Sequence, residues 1–407
     1  MLHKAWIFEK RAVAPIVLSL AIVILSQGAV GNPEEPFVAI NFTGPTDDAG
    51  IIVWPAMDGG YLFTGLTRSF GAGDMDAWLV KTDENGTELW NKTFGGTGQD
   101  AGVYFRPTRD GGYIIAGWTN SSGAGGTDVL VIKTDANGTE MWNKTYGGEA
   151  DDRGRTVHQT RDGGYIIGGT TSSFGAEGRN FLLIKTDASG NEMWNRTYGG
   201  AGTEVFNTAQ PTIGGYVVIG GTNSTAAGDW DILLIRADEN GTELWNKTLG
   251  GPSNQTAISF NQNSDGGYTI TGVTDVAGNN DALLIKTDAS GNELWSKVFG
   301  GMGDDQGRDV LETREGGYLI AGWTNSSGSG GTDVLLIMTD SIGEELWNMT
   351  YGGEGDDRGR FVAPTYDGGY VVVGESRSVG GDWNALLVKI DANGNEVWMN
   401  TYGGKRR

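Results

Sequence analysis

The chain of 407 residues contains no cysteine and only two histidines, His3 and His158. The first absence removes disulfides, thiolate nucleophiles, cysteine-ligated zinc and iron–sulfur clusters. The second leaves too little imidazole for a histidine-rich metal site or a histidine-driven reaction. Basic residues are also scarce: 29 Lys and Arg stand against 51 Asp and Glu, for a net charge of −22. Only the first residues read as basic, which excludes a protein that tracks nucleic-acid phosphates. No stretch after residue 31 shows the periodicity of an amphipathic helix. Glycine and aromatic residues are abundant, with 70 Gly, 14 Trp, 13 Tyr and 13 Phe. With 38% hydrophobic residues, this content excludes a disordered chain.

Residues 1–31 read as a secretory signal. His3, Lys4, Lys10 and Arg11 give a basic start, and Ala12 to Ser26 is an apolar run interrupted by Pro15 and Ser19. Ala29-Val30-Gly31 supplies small residues at a cleavage site. The run is shorter than the roughly 20 residues of a spanning helix; an uncleaved anchor is the rival reading. Cleavage would remove Lys4, Glu9, Lys10 and Arg11, a net +2, leaving −22 − 2 = −24 on the mature chain. The expected location is secreted, extracellular or at the cell surface, with no membrane association after cleavage.

The remainder repeats. A Gly-Gly-Tyr string, preceded by Asp in five units, ends at Tyr61, Tyr113, Tyr165, Tyr216, Tyr268, Tyr318 and Tyr370. The steps are 52, 52, 51, 52, 50 and 52 residues. A second string, Asp-x-x-Gly-x-x-x-Trp, ends at Trp90, Trp142, Trp194, Trp245, Trp295, Trp347 and Trp398. Seven units thus cover nearly all of residues 32–407.

Each unit reads as four short strands. In the third, the expected strands are A over Arg155–Thr160, B over Tyr165–Thr170, C over Asn180–Thr186 and D over Glu192–Tyr198. Strand C is a continuous apolar run, as in a strand covered on both faces. The turn Asp187-Ala188-Ser189-Gly190 closes the C–D hairpin. Units of about 50 residues with four antiparallel strands predict the blades of an all-β, seven-bladed β-propeller, whose closed ring gives every apolar face a neighbour. The repeated Trp at the start of strand D is expected to fill the groove between blades. Phe37 to Thr43 also aligns with strand D and competes with the strand around Trp398, which is expected to hold the regular place.

These strings resemble the secreted β-propeller-repeat proteins of archaea and bacteria over residues 37–405. The segment Lys389 to Trp398 also resembles the tryptophan-docking repeat of the pyrroloquinoline-quinone-type propellers. That resemblance implies the fold. It does not carry the quinoprotein redox activity here, because those dehydrogenases usually have eight blades and often use adjacent cysteines beside the cofactor.

In a repeat, residues present in every unit serve the scaffold first. An Asp or Asn precedes strand C throughout, from Asp76 to Asn384, and reads as an acceptor for loop amides, as do the turn carboxylates Asp135 and Asp391. A second acidic column, Asp48, Asp100, Asp152, Glu204, Asp305 and Asp357, with Gln255 in the fifth unit, lies in the D–A loops. Loop scaffolding is one reading. The other is a ring at one channel mouth that holds calcium, with Asp48, Asp100, Asp152, Asp305 and Asp357 as ligands. No cofactor is expected, and calcium is the one alternative this column offers. Arg153, Arg155, Arg308, Arg358 and Arg360 sit beside this column, where they neutralise part of it, and Arg155, Arg308 and Arg360 join the candidate binding residues.

Departures from the repeat are the other candidates. Trp230 and Trp383, in the long B–C loops of units four and seven, either stack on a sugar or fill a gap; Trp118 and Trp323 end strand B. Glu312, Glu375 and Asp309 are unit-specific acids. His158 falls at a varied position of strand A and reads as channel lining. No lone constellation of reactive groups stands out, so no catalytic residue is assigned and an enzyme is not indicated. Thirteen Asn-x-Ser/Thr sequons, five of them in strand D, would suit a glycoprotein surface. The expected function is a monomeric binding module that recognises a glycan or an envelope protein through the face bearing the D–A and B–C loops. A polysaccharide hydrolase or lyase and a structural envelope component are the alternatives.

Overall fold

The computed structural model describes residues 48–402 apart from 56–60, 69, 83–87, 225–229, 277, 366–367 and 379–383. Each unit forms one antiparallel sheet in the order A-B-C-D, seven four-stranded sheets in all. None of the described residues is helical, and no described helix could cross a membrane. This is the blade arrangement of a β-propeller. Residues 1–31 and 37–43 lie outside the described set, and the junction between the last sheet and the first falls partly on residues outside it.

In the third sheet, strands C and D occupy Asn180–Thr186 and Glu192–Tyr198, as the pattern predicts. Strand A begins earlier than predicted, at Asp152. Its first residues, Asp-Arg-Gly, lack apolar alternation, yet Asp152 and Arg153 pair with Thr171 and Thr170. All seven residues of strand C are buried because neighbouring sheets cover both faces. Strand D is the outer strand and shows mostly exposed or half-buried residues.

Six apolar clusters hold the stack together, each shared by two consecutive sheets. The cluster between the third and fourth, for example, joins Phe181, Leu183 and Tyr198 to Phe206, Val218 and Ile235. The strand-D Trp extends each cluster outward. Trp142, Trp194, Trp245 and Trp295 meet the strand-B Tyr of the following sheet edge to face, at centroid distances of 5.9, 5.9, 6.1 and 5.7 Å. The same indole lies on the C–D turn of that sheet. Gly190 has φ 77°, and a Cβ there would sit 2.8 Å from the Trp142 ring. The last residue of strand D completes the dock: Tyr146 Oη donates to the Gly190 carbonyl at 2.6 Å, and Tyr198 Oη to that of Gly241 at 2.7 Å. Trp398 holds the regular place, paired with Lys389, but is 40% exposed.

The A–B turn is fixed from within the sheet. The buried Lys185 of strand C reaches Asp162 at 2.8 Å, and Lys133–Asp110 and Lys286–Asp265 repeat the pair. Burial pushes the Asp162 carboxyl up, but hydrogen bonds from Lys185 and Thr160 outweigh it and hold it at about 2. In the fourth unit Ile213 replaces the Asp and Arg236 replaces the Lys; Arg236 Nη2 then donates to the Ile213 carbonyl at 2.7 Å.

Candidate functional site

Strands A of neighbouring sheets touch one another, whereas strands D diverge; the A strands therefore surround the axis. The acidic column stands at the first residue of strand A. Its side chains are turned inward: Asp100, Asp152, Glu204, Asp305 and Asp357 are each at most 1% exposed. Asp152 Oδ2 accepts from the Gly148 amide at 2.8 Å and from Ser173 Oγ at 2.6 Å. Asp100, Asp305 and Asp357 repeat this with Gly96 and Ser121, Gly301 and Ser326, and Gly353 and Ser378. Gln255 substitutes for an acid with its Oε1 on the Gly251 amide. Among the described residues no three acidic or histidine side chains gather into one metal cage. The structure thus distributes these carboxylates over separate junctions. The Asp48 side chain lies outside the described set.

The strand-C column joins them in pairs. Gly95, Gly147, Gly300 and Gly352 are each flanked by two carboxylates: Asp76 and Asp100, Asp128 and Asp152, Asp281 and Asp305, Asp333 and Asp357. Burial raises the first member of each pair, with its partner's charge adding to the rise; Asp333 reaches about 6.

These bonds staple the loops of one face. Gly98 N donates to Ser121 Oγ at 2.9 Å, Thr127 N to Asp151 Oδ1 at 2.9 Å, and Gly355 N to Ser378 Oγ at 3.0 Å. Each links a D–A loop to a B–C loop about twenty-three residues away, which restrains these loops before any ligand arrives.

A β-bulge interrupts strand A of every sheet after its third residue. The extra residue is left out of the pairing with strand B. These residues are Ile51, Val103, Arg155, Asn207, Ile258, Arg308 and Arg360, so all three arginines expected in the site occupy bulges. Arg155 lines a small cavity with Val103, Trp118, Arg153 and Arg179. Arg360 Nη2 reaches Glu375 Oε1 at 2.6 Å, and Arg358 Nη1 lies 3.8 Å from the same oxygen. Burial and the neighbouring Arg360 lower Arg308 to about 9, against the opposing pull of Glu375.

A family model described as outer membrane protein assembly factor BamB matches residues 75–320, more than half of the chain. The chain belongs to that family. The regulatory protein FlaEY of Caulobacter vibrioides is 24% identical over 223 residues, which are 50% of this chain and 22% of that protein. The crystal structure of Chaetomium thermophilum Sqt1 superposes with a TM-score of 0.51 at 11% identity, covering 86% of this chain and 84% of that one. This second likeness concerns the fold alone.

In this BamB-family chain the described aromatic candidates contact the scaffold as follows. Trp230 is half-buried, its amide donates to Asn254 Oδ1 at 3.0 Å, and its ring lies against Gly221. Trp383 lies outside the described residues. Trp118 and Trp323 carry the guanidinium carbons of Arg153 and Arg358 at 5.3 and 5.5 Å from the ring centroid. His158 sits 5.9 Å from the Tyr104 ring; burial and Arg106 hold it neutral, at about 3. The unit-specific acids are apart from one another in role. Glu375 pairs with arginines, Glu312 accepts from Ser264, and Asp309 accepts from Ser259 Oγ and the Val362 amide.

Sequence reasoning missed three exposed apolar side chains on the stapled face: Phe70 and Phe174, 42% and 38% exposed at the same position of two B–C loops, and Met302, fully exposed in a D–A loop. Met302 is specific to its unit and the Phe is shared by units one and three only, which was the available signal. Arg358 was also left out of the binding residues.

Proposed function

We propose that this chain is a binding module, secreted or displayed at the cell surface, that recognises a glycan or an envelope protein through the face carrying the D–A and B–C loops. The observation that carries the reading is the stapling of those loops by the buried Asp–Ser–Gly bonds, which lowers the ordering cost of association. Phe174 and Met302 offer apolar contacts on that face, and the polar loops around them suit an interface rim. The family's description as an outer membrane protein assembly factor fits the envelope-protein branch. Fold alone does not decide among partners.

The test uses the mature chain on a glycan array, together with capture of a membrane-extract partner and a polysaccharide-degradation assay. A specific ligand whose binding weakens at least about tenfold in Phe174→Ala/Met302→Ala supports the proposal; about 1.4 kcal/mol corresponds to that factor. Degradation of a polysaccharide without retained binding turns the reading toward an enzyme. Silence in all three assays leaves the structural component.

A further inference from the structure

The junction between the sixth and seventh sheets concentrates positive charge in a strongly acidic chain. Arg308 and Arg360 are the bulge residues of adjacent strands A, and Arg358 lies two residues before Arg360. Arg360 and Arg358 both approach one carboxylate, Glu375, which is fully buried, and Arg308 lies within electrostatic range of all three. The repeat provides its own comparison. The junction between the second and third sheets keeps the equivalents of Arg358 and Arg360, namely Arg153 and Arg155. There Val103 stands in place of Arg308 and Thr170 in place of Glu375. The scaffold therefore forms without Arg308, and this arginine is an addition to it.

Its donors are available. Arg308 is half-buried and makes no hydrogen bond or ion pair within the described residues, and its Nε is buried without a partner. The Nε of Arg360, a side chain 5% exposed, is also without a hydrogen-bond partner. Arg358, with a side chain 19% exposed, has its guanidinium carbon 5.5 Å from the Trp323 ring centroid, a cation–π contact that restrains it. Uncompensated guanidinium in a half-dry site is costly unless a counter-charge arrives. A planar fork of N–H donors matches a carboxylate or phosphate better than it matches chloride.

We propose that this junction binds the anionic group of a multiply charged oxyanion, phosphate or polycarboxylate, with Arg308 supplying the direct hydrogen bonds and Arg358 and Arg360 the flanking charge. The site is independent of whether the loop face binds a glycan or a protein.

Inorganic phosphate and citrate are titrated into the full chain by calorimetry, at ionic strength matched with sodium chloride. Saturable binding of either anion, weakened at least about tenfold in Arg308→Gln and retained in Arg155→Gln, is the expected result. Preference for phosphate or for citrate distinguishes the two sources of the oxyanion. Arg308→Gln should also raise the melting temperature of the ligand-free protein, because it removes a charge that its neighbours oppose; a purely structural arginine would lower it. Should that variant fail to fold, Arg308→Lys keeps the charge and removes the fork, and weaker binding is again expected. No saturable binding beyond chloride, or unchanged affinity in the Arg308 variants, overturns the proposal.

Discussion

At the scale of single residues, Asp309 gives the clearest handle on stability. It is 8% exposed, and burial pushes its carboxyl up to about 7, against hydrogen bonds from the Val362 amide and Ser259. Between the unfolded value near 4 and about 7, the folded chain holds a proton that the unfolded chain has released. Stability therefore falls as pH rises through that window. Asp333, at about 6, acts in the same direction. Asp110 and Asp162, held at about 2, act oppositely, since their contribution is lost only as pH falls below about 4. Urea unfolding across pH 4 to 7 should show a decline on the order of 3 kcal/mol, much of it absent in Asp309→Asn. A second prediction separates backbone from packing. Gly163 and Gly190 both have positive φ, 87° and 77°, but a Cβ at Gly163 meets nothing within 4 Å. Gly163→Ala should cost about 1 kcal/mol and Gly190→Ala about 2 kcal/mol or more, the difference being the clash with Trp142. Equal costs by denaturant titration would show that this turn is not a docking surface.

At the scale of the element, the strand-D Trp and the strand-A carboxylate do different work. Trp245 joins one sheet to the next against Tyr268 and Gly291. Trp245→Ala should cost about 3 kcal/mol in unfolding free energy. Asp152→Ala strands the Gly148 amide and the Ser173 hydroxyl and should cost about 2 kcal/mol, while Asp152→Asn, which keeps an acceptor, should cost less. Calcium remains a proposal for the paired carboxylates of the junctions. It predicts a higher melting temperature in millimolar calcium than in sodium at matched ionic strength, with a smaller gap in Asp152→Asn/Asp357→Asn. Equal melting temperatures would remove the metal.

For the whole molecule, the excess of 51 acidic over 29 basic residues favours expansion. Raising sodium chloride from about 20 mM to about 500 mM shortens the Debye length severalfold and should raise the melting temperature by a few degrees. A fall in that series would mean that the buried Lys–Asp and Arg–Glu pairs dominate over surface repulsion. The stack itself was open to reading because each sheet is a copy: the Gly-Gly-Tyr and Asp-x-x-Gly-x-x-x-Trp strings mark both hairpins of every unit. The first three residues of strand A escaped that reading because their pairing depends on the strand-B backbone beside them. Their side chains show no apolar period.

Order along the chain was enough for the number of units, the strand order and the docking Trp, because a repeat states its periodicity in residue types alone. It was also enough to select Arg155, Arg308 and Arg360 as neighbours of the acidic column. Tertiary structure decided what those residues face. A bulge has no sequence signature here, so only the fold shows that the three arginines share one displaced backbone position. Likewise, the spacing of Asp100, Asp152 and Asp357 is equally compatible with a ring and with separate burial. Only the approach of the next loop, with its glycine amide and serine hydroxyl, turns each carboxylate into its own junction. Charge balance in the sixth junction belongs to the same class, because Glu375, Arg308 and Arg360 come from three strands of two sheets and meet only when those sheets pack.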